Sequence, residues 1–183
     1  MDALNWVESI GGLSETMARS QRNFDAIATW VSQTPWVDFL ASDPQTRSIT
    51  SVCLKISDDW FQSLSADAQM PFVKSMIKPL DSDGVAYDIA SYRDAPAGLR
   101  IWCGATVEAS DVAALLPWLN YAYETAKVAQ QQKDAADIQR AEQALANAEA
   151  SSLLTPNETK QQRQLVEARR AISEEIKKAQ AVA

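Results

Sequence analysis

Histidine is absent from this 183-residue sequence, and that gap removes a large part of enzyme chemistry. Ser-His and Cys-His nucleophile schemes need an imidazole as base, and many metal sites need one as ligand. Cysteine is nearly as scarce. Cys53 and Cys103 each lie inside an apolar run, TSVCLKI and LRIWCG, where a free thiol packs as a small hydrophobe. Two such thiols make no metal-ligand set, and a disulfide is not expected in a reducing compartment. Glycine numbers five, all at or before Gly104. Gly11-Gly12 is the only adjacent pair, so no glycine-rich phosphate cradle is present.

Long apolar runs are missing too. None approaches the roughly 18 residues of a membrane-spanning helix, and the opening MDALNWVESIGG has neither the basic nor the apolar region of a secretory signal. The expectation is a cytoplasmic chain with no membrane partner. The net charge of −7 lacks the clustered Lys and Arg of a nucleic-acid surface. Its distribution is uneven: residues 1–129 carry 9 basic and 16 acidic side chains, and residues 130–183 carry 8 of each. With the glycines, this sets two chemically different segments side by side near residue 130.

Before that boundary the pattern alternates. Residues 1–9 read as a short helix stopped by Gly11-Gly12. Leu13, Met17, Phe24, Ile27, Ala28 and Val31 recur at three- and four-residue steps, predicting an amphipathic helix over 13–32 with those residues on its apolar face. WVDFLAS (36–42) and ITSVCLKIS (49–57) read as strands, separated by a turn at Asp43-Pro44. Ser65 is placed to cap a helix running to about Leu80. VAYDIA (85–90) and LRIWCG (99–104) read as two further strands, and a helix starts near Ser110. Short loops let neighbouring strands pair antiparallel with helices on one face, an α+β sandwich.

After the boundary the chain is rich in Ala, Gln and Glu, with high helix propensity. Ile138 and Leu145, with Ala141 and Ala148, form a thin seam. Thr155 and Glu158 make a capping box with Pro156 at the first helical position. A second helix then places Leu165, Ile172, Ile176 and Ala179 on one face. The two helices predict a long hairpin that folds on itself or serves as an assembly arm.

One stretch suggests chemistry: Tyr92-Arg93-Asp94-Ala95-Pro96-Ala97-Gly98-Leu99-Arg100. Arg93 lies in a loop, whereas Arg100 sits in a strand amid apolar neighbours, where an unpaired charge is too costly to keep. Two partners suit it. An internal acid such as Asp88 or Asp94 would make an ion pair, and a ligand carboxylate or phosphate would fit its fork of donors.

The runs TRSITSVCLKI and GVAYDIASYRDAPAGLRIWCGATVEASDVAALLPWL, with the opening DALNWVESIGGL, resemble the C-terminal small domain of the phosphoserine aminotransferase family, class V enzymes of fold-type I that use pyridoxal 5'-phosphate. The likeness spans residues 2 to about 128, which implies an aminotransferase-like small domain over 1–128 and a helical-hairpin extension over 129–183. It implies that Arg100 binds the substrate α-carboxylate. It also implies that the pair Tyr92-Arg93, where many members have His first, helps hold the substrate phosphate. The family moves an amino group from glutamate to 3-phosphohydroxypyruvate in serine biosynthesis.

The cofactor lysine belongs to the family's large domain, and none of the eight lysines here lies in a recognisable cofactor context. No catalytic residue, metal site or cofactor contact is therefore expected of this chain alone. The partners implied are a phosphorylated small molecule and a separately encoded large domain or further copies of the chain. A non-catalytic scaffold carrying an assembly arm is the alternative.

Overall fold

The computed structural model describes residues 2–151 and 155–181. They divide into two compact units, Met1–Ala126 and Lys127–Ala183. In the first unit, helix α1 (Asp2–Ser9) precedes α2 (Gly12–Gln33), which leads into strand β1 (Val37–Phe39). A 3-10 turn, Pro44–Thr46, follows, with the Asp43 side chain accepting from the Gln45 N–H. Then come β2 (Ser51–Ile56), α3 (Asp59–Ser63), α4 (Ala66–Ser82), β3 (Gly98–Trp102) and α5 (Ala109–Ala150).

The three strands form an antiparallel sheet in the order β1-β2-β3. Strict alternation divides its faces. Val37, Phe39, Val52, Leu54, Ile56, Leu99 and Ile101 are buried against the helices. Helix α2 packs on β1 and α4 on β3. Aromatic contacts knit this core: Trp36 stacks on Tyr123 with centroids 4.2 Å apart, and Phe72 meets Trp60 edge-on at 5.1 Å. Burial and the carboxylate of Asp58, which accepts the Tyr123 hydroxyl at 2.7 Å, both hold that phenol in its neutral form.

Several elements differ from the sequence reading. The segment 85–90 is not a strand. Helix α4 ends in a Schellman arrangement, Gly84 at φ 71 with Gly84 N–H on the Asp81 carbonyl and Val85 N–H on that of Leu80. Those donors are spent on the helix end, and Asp88 at φ 52 turns the chain out of extended geometry. Only an isolated bridge remains, Ala90 to Leu99. Helix α2 also faces inward differently: Ser20, Asn23, Ile27 and Trp30 are buried, while Leu13 and Met17 are exposed. Ser65 stands at the N-cap of α4 without a side-chain bond. Helix α3 was not foreseen, although Asp58 caps it through the Trp60 N–H at 2.7 Å.

Asn23 explains the rotation of α2. Its amide donates to the carbonyls of Cys103 (3.2 Å), Gly104 (3.3 Å) and Val107 (3.0 Å), tying the helix to the turn between β3 and α5. With its NH2 engaged this way the side chain sits inside, although its Oδ1 is buried with no hydrogen-bond partner among the described residues, and Ser20, Ile27 and Trp30 face inward with it. Nearby, Cys103 is fully buried, and desolvation pushes its thiol up to about 11.

The second unit is built on other terms. The later part of α5 lies antiparallel to α6 (Pro156–Ala181). Arg163 grips Glu149 with Nε and Nη2 at 2.7 and 2.8 Å, and one heptad on Arg170 reaches Glu142 at 3.5 Å. The hydrogen bonds and charge of Arg163 hold the Glu149 carboxyl below its usual range. Thr155 and Glu158 close the expected capping box, with the Thr155 N–H on the Glu158 carboxylate at 2.9 Å. Ile138, Ala141, Leu145 and Ala148 line the seam as expected, but from α6 it is Val166, Ser173 and Ile176 that join them in partial burial. Leu165 and Ile172 instead point outward, 58% and 57% exposed. The side chain of Ala179 lies outside the described residues.

Replacing Asn23 by Ala leaves three inward carbonyls without that donor. The expected cost is about 2–3 kcal/mol of first-unit stability, read from urea unfolding followed by tryptophan fluorescence. A loss below about 0.5 kcal/mol, the scale of an ordinary surface substitution, contradicts the role given to it.

Candidate functional site

The sheet face opposite the core carries the polar residues. Asp38 lies beside Lys55 and Cys53 beside Arg100 across the strands, and Lys55 pairs with Asp38 at 3.4 Å. Two constraints set β3 in place. Gly98 crosses β2 so closely that a Cβ there would sit 2.2 Å from the Leu54 carbonyl oxygen. On its other side, the Arg100 N–H bonds the Ile89 carbonyl at 2.8 Å and the Ser91 N–H bonds that of Gly98 at 3.1 Å. The segment 88–92 therefore wraps around Arg100.

Arg100 is the centre of the site. Its side chain is only 16% exposed. Nη2 donates to the Asp88 carboxylate at 2.6 Å and to the Asp88 carbonyl at 3.2 Å. The guanidinium lies over the Tyr92 ring, 4.6 Å from its centroid, a cation–π contact that also fixes its plane. Nε is buried and has no hydrogen-bond partner among the described residues. Of the two partners open to Arg100 from sequence, Asp88 is the one engaged, and it is an unequal match: the Asp88 side chain is 86% exposed. A pair so open to water contributes little stability.

Tyr92 and Arg93 begin a turn closed by the Ala95 N–H on the Tyr92 carbonyl at 3.0 Å. Arg93 sits at its tip, exposed. Tyr92 is brought to Arg100; its ring supports the guanidinium, a role that strand-and-loop reasoning did not suggest. Arg47 lies over Phe39 at 4.1 Å and bonds the Ala41 carbonyl at 3.0 Å, a structural part. Arg19 is likewise used, on the Ala105 carbonyl and Glu108.

These residues do not make a pyridoxal-phosphate site. The cofactor needs a lysine amine, an acid for its ring nitrogen and a cradle for its phosphate. Lys55, the sheet's lysine, is committed to Asp38, and Lys74 and Lys78 lie exposed on α4. Among the described residues no cluster suits a metal ion, and no helix is long and apolar enough to cross a membrane.

No family model matches the chain. Over 124 residues, 68% of its length, it is 43% identical to the phosphoserine aminotransferase of Methanosarcina mazei and 44% identical to that of Methanosarcina barkeri. It spans only 31% of the length of those relatives. Among solved structures, a phosphoserine aminotransferase from Bacillus circulans subsp. alkalophilus shares the fold with a TM-score of 0.53 at 16% identity, covering 66% of this chain and 30% of that one. A second phosphoserine aminotransferase structure gives the same TM-score of 0.53 at 13% identity. The α+β part of this chain has the fold of an aminotransferase small domain.

Gly98→Ala tests how tightly β3 is seated. The added methyl must push β2 and β3 apart, and the expected loss is about 2–3 kcal/mol from overpacking, seen as a lower midpoint in thermal melts. An unchanged midpoint shows that the crossing can relax.

Proposed function

Because the chain is similar to phosphoserine aminotransferases over two thirds of its own length and spans about a third of theirs, we propose that it supplies the substrate-anion grip of such an enzyme. In this reading Arg100 takes the α-carboxylate of O-phosphoserine or 3-phosphohydroxypyruvate, and Arg93 takes the phosphate beside Tyr92. The reaction served is transfer of an amino group from glutamate to 3-phosphohydroxypyruvate, giving O-phosphoserine and 2-oxoglutarate in cytoplasmic serine biosynthesis. Pyridoxal phosphate, which acts as the electron sink in that chemistry, is held by a large domain that this chain does not span. The chain alone binds the substrate without converting it.

The supporting observation is the state of Arg100: a shielded guanidinium, braced on Tyr92, that already holds a carboxylate at 2.6 Å and keeps a second donor unused. Carboxylate recognition by Arg relies on this geometry, because two parallel charge-assisted bonds fix orientation as well as affinity. Arg93, exposed at the turn tip, adds the second positive charge that a dianionic phosphate calls for.

Titration calorimetry with O-phospho-L-serine checks this directly on the full chain. Arg100→Gln is expected to weaken binding by about 10- to 100-fold, the scale of a lost charge-assisted bond. Equal binding by wild type and Arg100→Gln sinks the reading.

A second reading concerns residues 129–183 as an assembly arm. Leu165 and Ile172 are exposed seven residues apart on α6, and none of the described residues in the Lys127–Ala183 unit is fully buried. Two helices with so thin a seam gain little from packing. If further copies of the chain cover that stripe, light scattering of the native chain reads a multiple of 20.1 kDa, and the double variant L165E/I172E reads a single chain. A native mass of one chain excludes the arm.

A further inference from the structure

The ion pair at Arg100 has an imbalance that a purely structural pair does not need. Nε and Nη2 form the side edge of the guanidinium, the edge a carboxylate grips with both oxygens. Asp88 meets this edge at Nη2 alone, through Oδ2 at 2.6 Å and its own carbonyl at 3.2 Å. Nε on the same edge is buried and has no hydrogen-bond partner among the described residues. A buried donor left unmet is costly, so the edge is only half answered by the described residues.

Asp88 is also poorly anchored. Its carboxylate is 86% exposed, and its backbone stands at φ 52, a region that non-glycine residues seldom adopt and that Asp and Asn tolerate best. Releasing the carboxylate to water costs little. Arg100 does not depend on it for its orientation, because the Tyr92 ring lies 4.6 Å away across the guanidinium face.

We propose that Asp88 is a placeholder carboxylate, one that occupies Arg100 in the empty site and yields the side edge to the carboxylate of an incoming ligand. The proposal rests on the reading of Arg100 as a carboxylate anchor and adds a positioning residue to it. Asp88 keeps the guanidinium charge answered between ligands, and it competes with every ligand that carries a carboxylate. A ligand with two oxygens to offer wins because it satisfies Nε as well as Nη2.

The test is Asp88→Asn, which removes the charge while retaining shape and tolerance of the left-handed backbone. Full-length wild type, Asp88→Asn and Arg100→Gln are titrated with O-phospho-L-serine and with O-phosphoethanolamine, which has the phosphate but no carboxylate. Asp88→Asn is expected to bind O-phospho-L-serine about fivefold more tightly, the size of an exposed ion pair that no longer has to be broken. Its affinity for O-phosphoethanolamine stays unchanged. An equal gain for both probes overturns the proposal in favour of a general field effect. Weaker or unchanged O-phospho-L-serine binding, with Arg100→Gln still defective, overturns the placeholder alone and leaves the anchor standing. Failure of all three proteins to bind O-phospho-L-serine overturns both. Thermal melts run in parallel exclude loss of fold as the source of any change.

Discussion

The register between β2 and β3 governs the first unit. Val52 opposite Ile101 and Leu54 opposite Leu99 put one face into the core, and the same pairing puts Cys53 opposite Arg100 on the other face. A slip of one residue would exchange the two faces along the whole strand, turning a guanidinium into the apolar core. Gly98 secures this register sterically, because only a residue without a side chain fits against the Leu54 carbonyl. Asn23 secures it from beyond the strand by tying Cys103, Gly104 and Val107 to α2. The candidate site is thus a by-product of strand alternation: the residues that build the core are interleaved with Arg100 and its neighbours on the opposite face.

The second unit follows different physics. Its helices begin and persist through propensity, a capping box and cross-helix ion pairs between Arg163 and Glu149 and between Arg170 and Glu142. These are exposed charges, screened by salt and individually modest. The first unit relies on burial of large aromatic side chains such as Trp36, Trp60, Phe72 and Tyr123, which salt leaves largely untouched. The composition break near residue 130 marks this change of stabilising force.

Legibility in the sequence tracked how local each determinant was. The helices over 12–33 and 66–82 are legible from their periodicity, that over 156–181 from its capping box, and β2 from its alternation. VAYDIA misled because its β-like residues follow a helix whose Schellman end takes up the donors of Gly84 and Val85, and because Asp88 leaves the extended region. The inward face of α2 departs from its apolar periodicity for a related reason. Apolar periodicity chose Leu13 and Met17, but a buried Asn with three carbonyl partners outweighs two hydrophobes at a helix start. On α6 the spacing favours the Leu165–Ile172 stripe as the inner face, whereas Arg163 and Arg170 pair with α5 and Val166 turns inward instead. Arg100 stood out as a charge in an apolar strand, and its two candidate internal acids were both visible in the sequence.

Determined by the sequence alone were the lack of histidine, the composition break near residue 130, the capping box that opens α6 and the likeness to phosphoserine aminotransferases. Each rests on residue identity or on spacing within one element. Only the tertiary structure decided that Asp88 rather than Asp94 answers Arg100, that Tyr92 lies beneath the guanidinium and that Nε remains unmet. These facts depend on how segment 88–92 crosses β3. The crossing is set by backbone hydrogen bonds at Ile89 and Ser91 and by a positive φ at Asp88, and no periodicity in the chain encodes it.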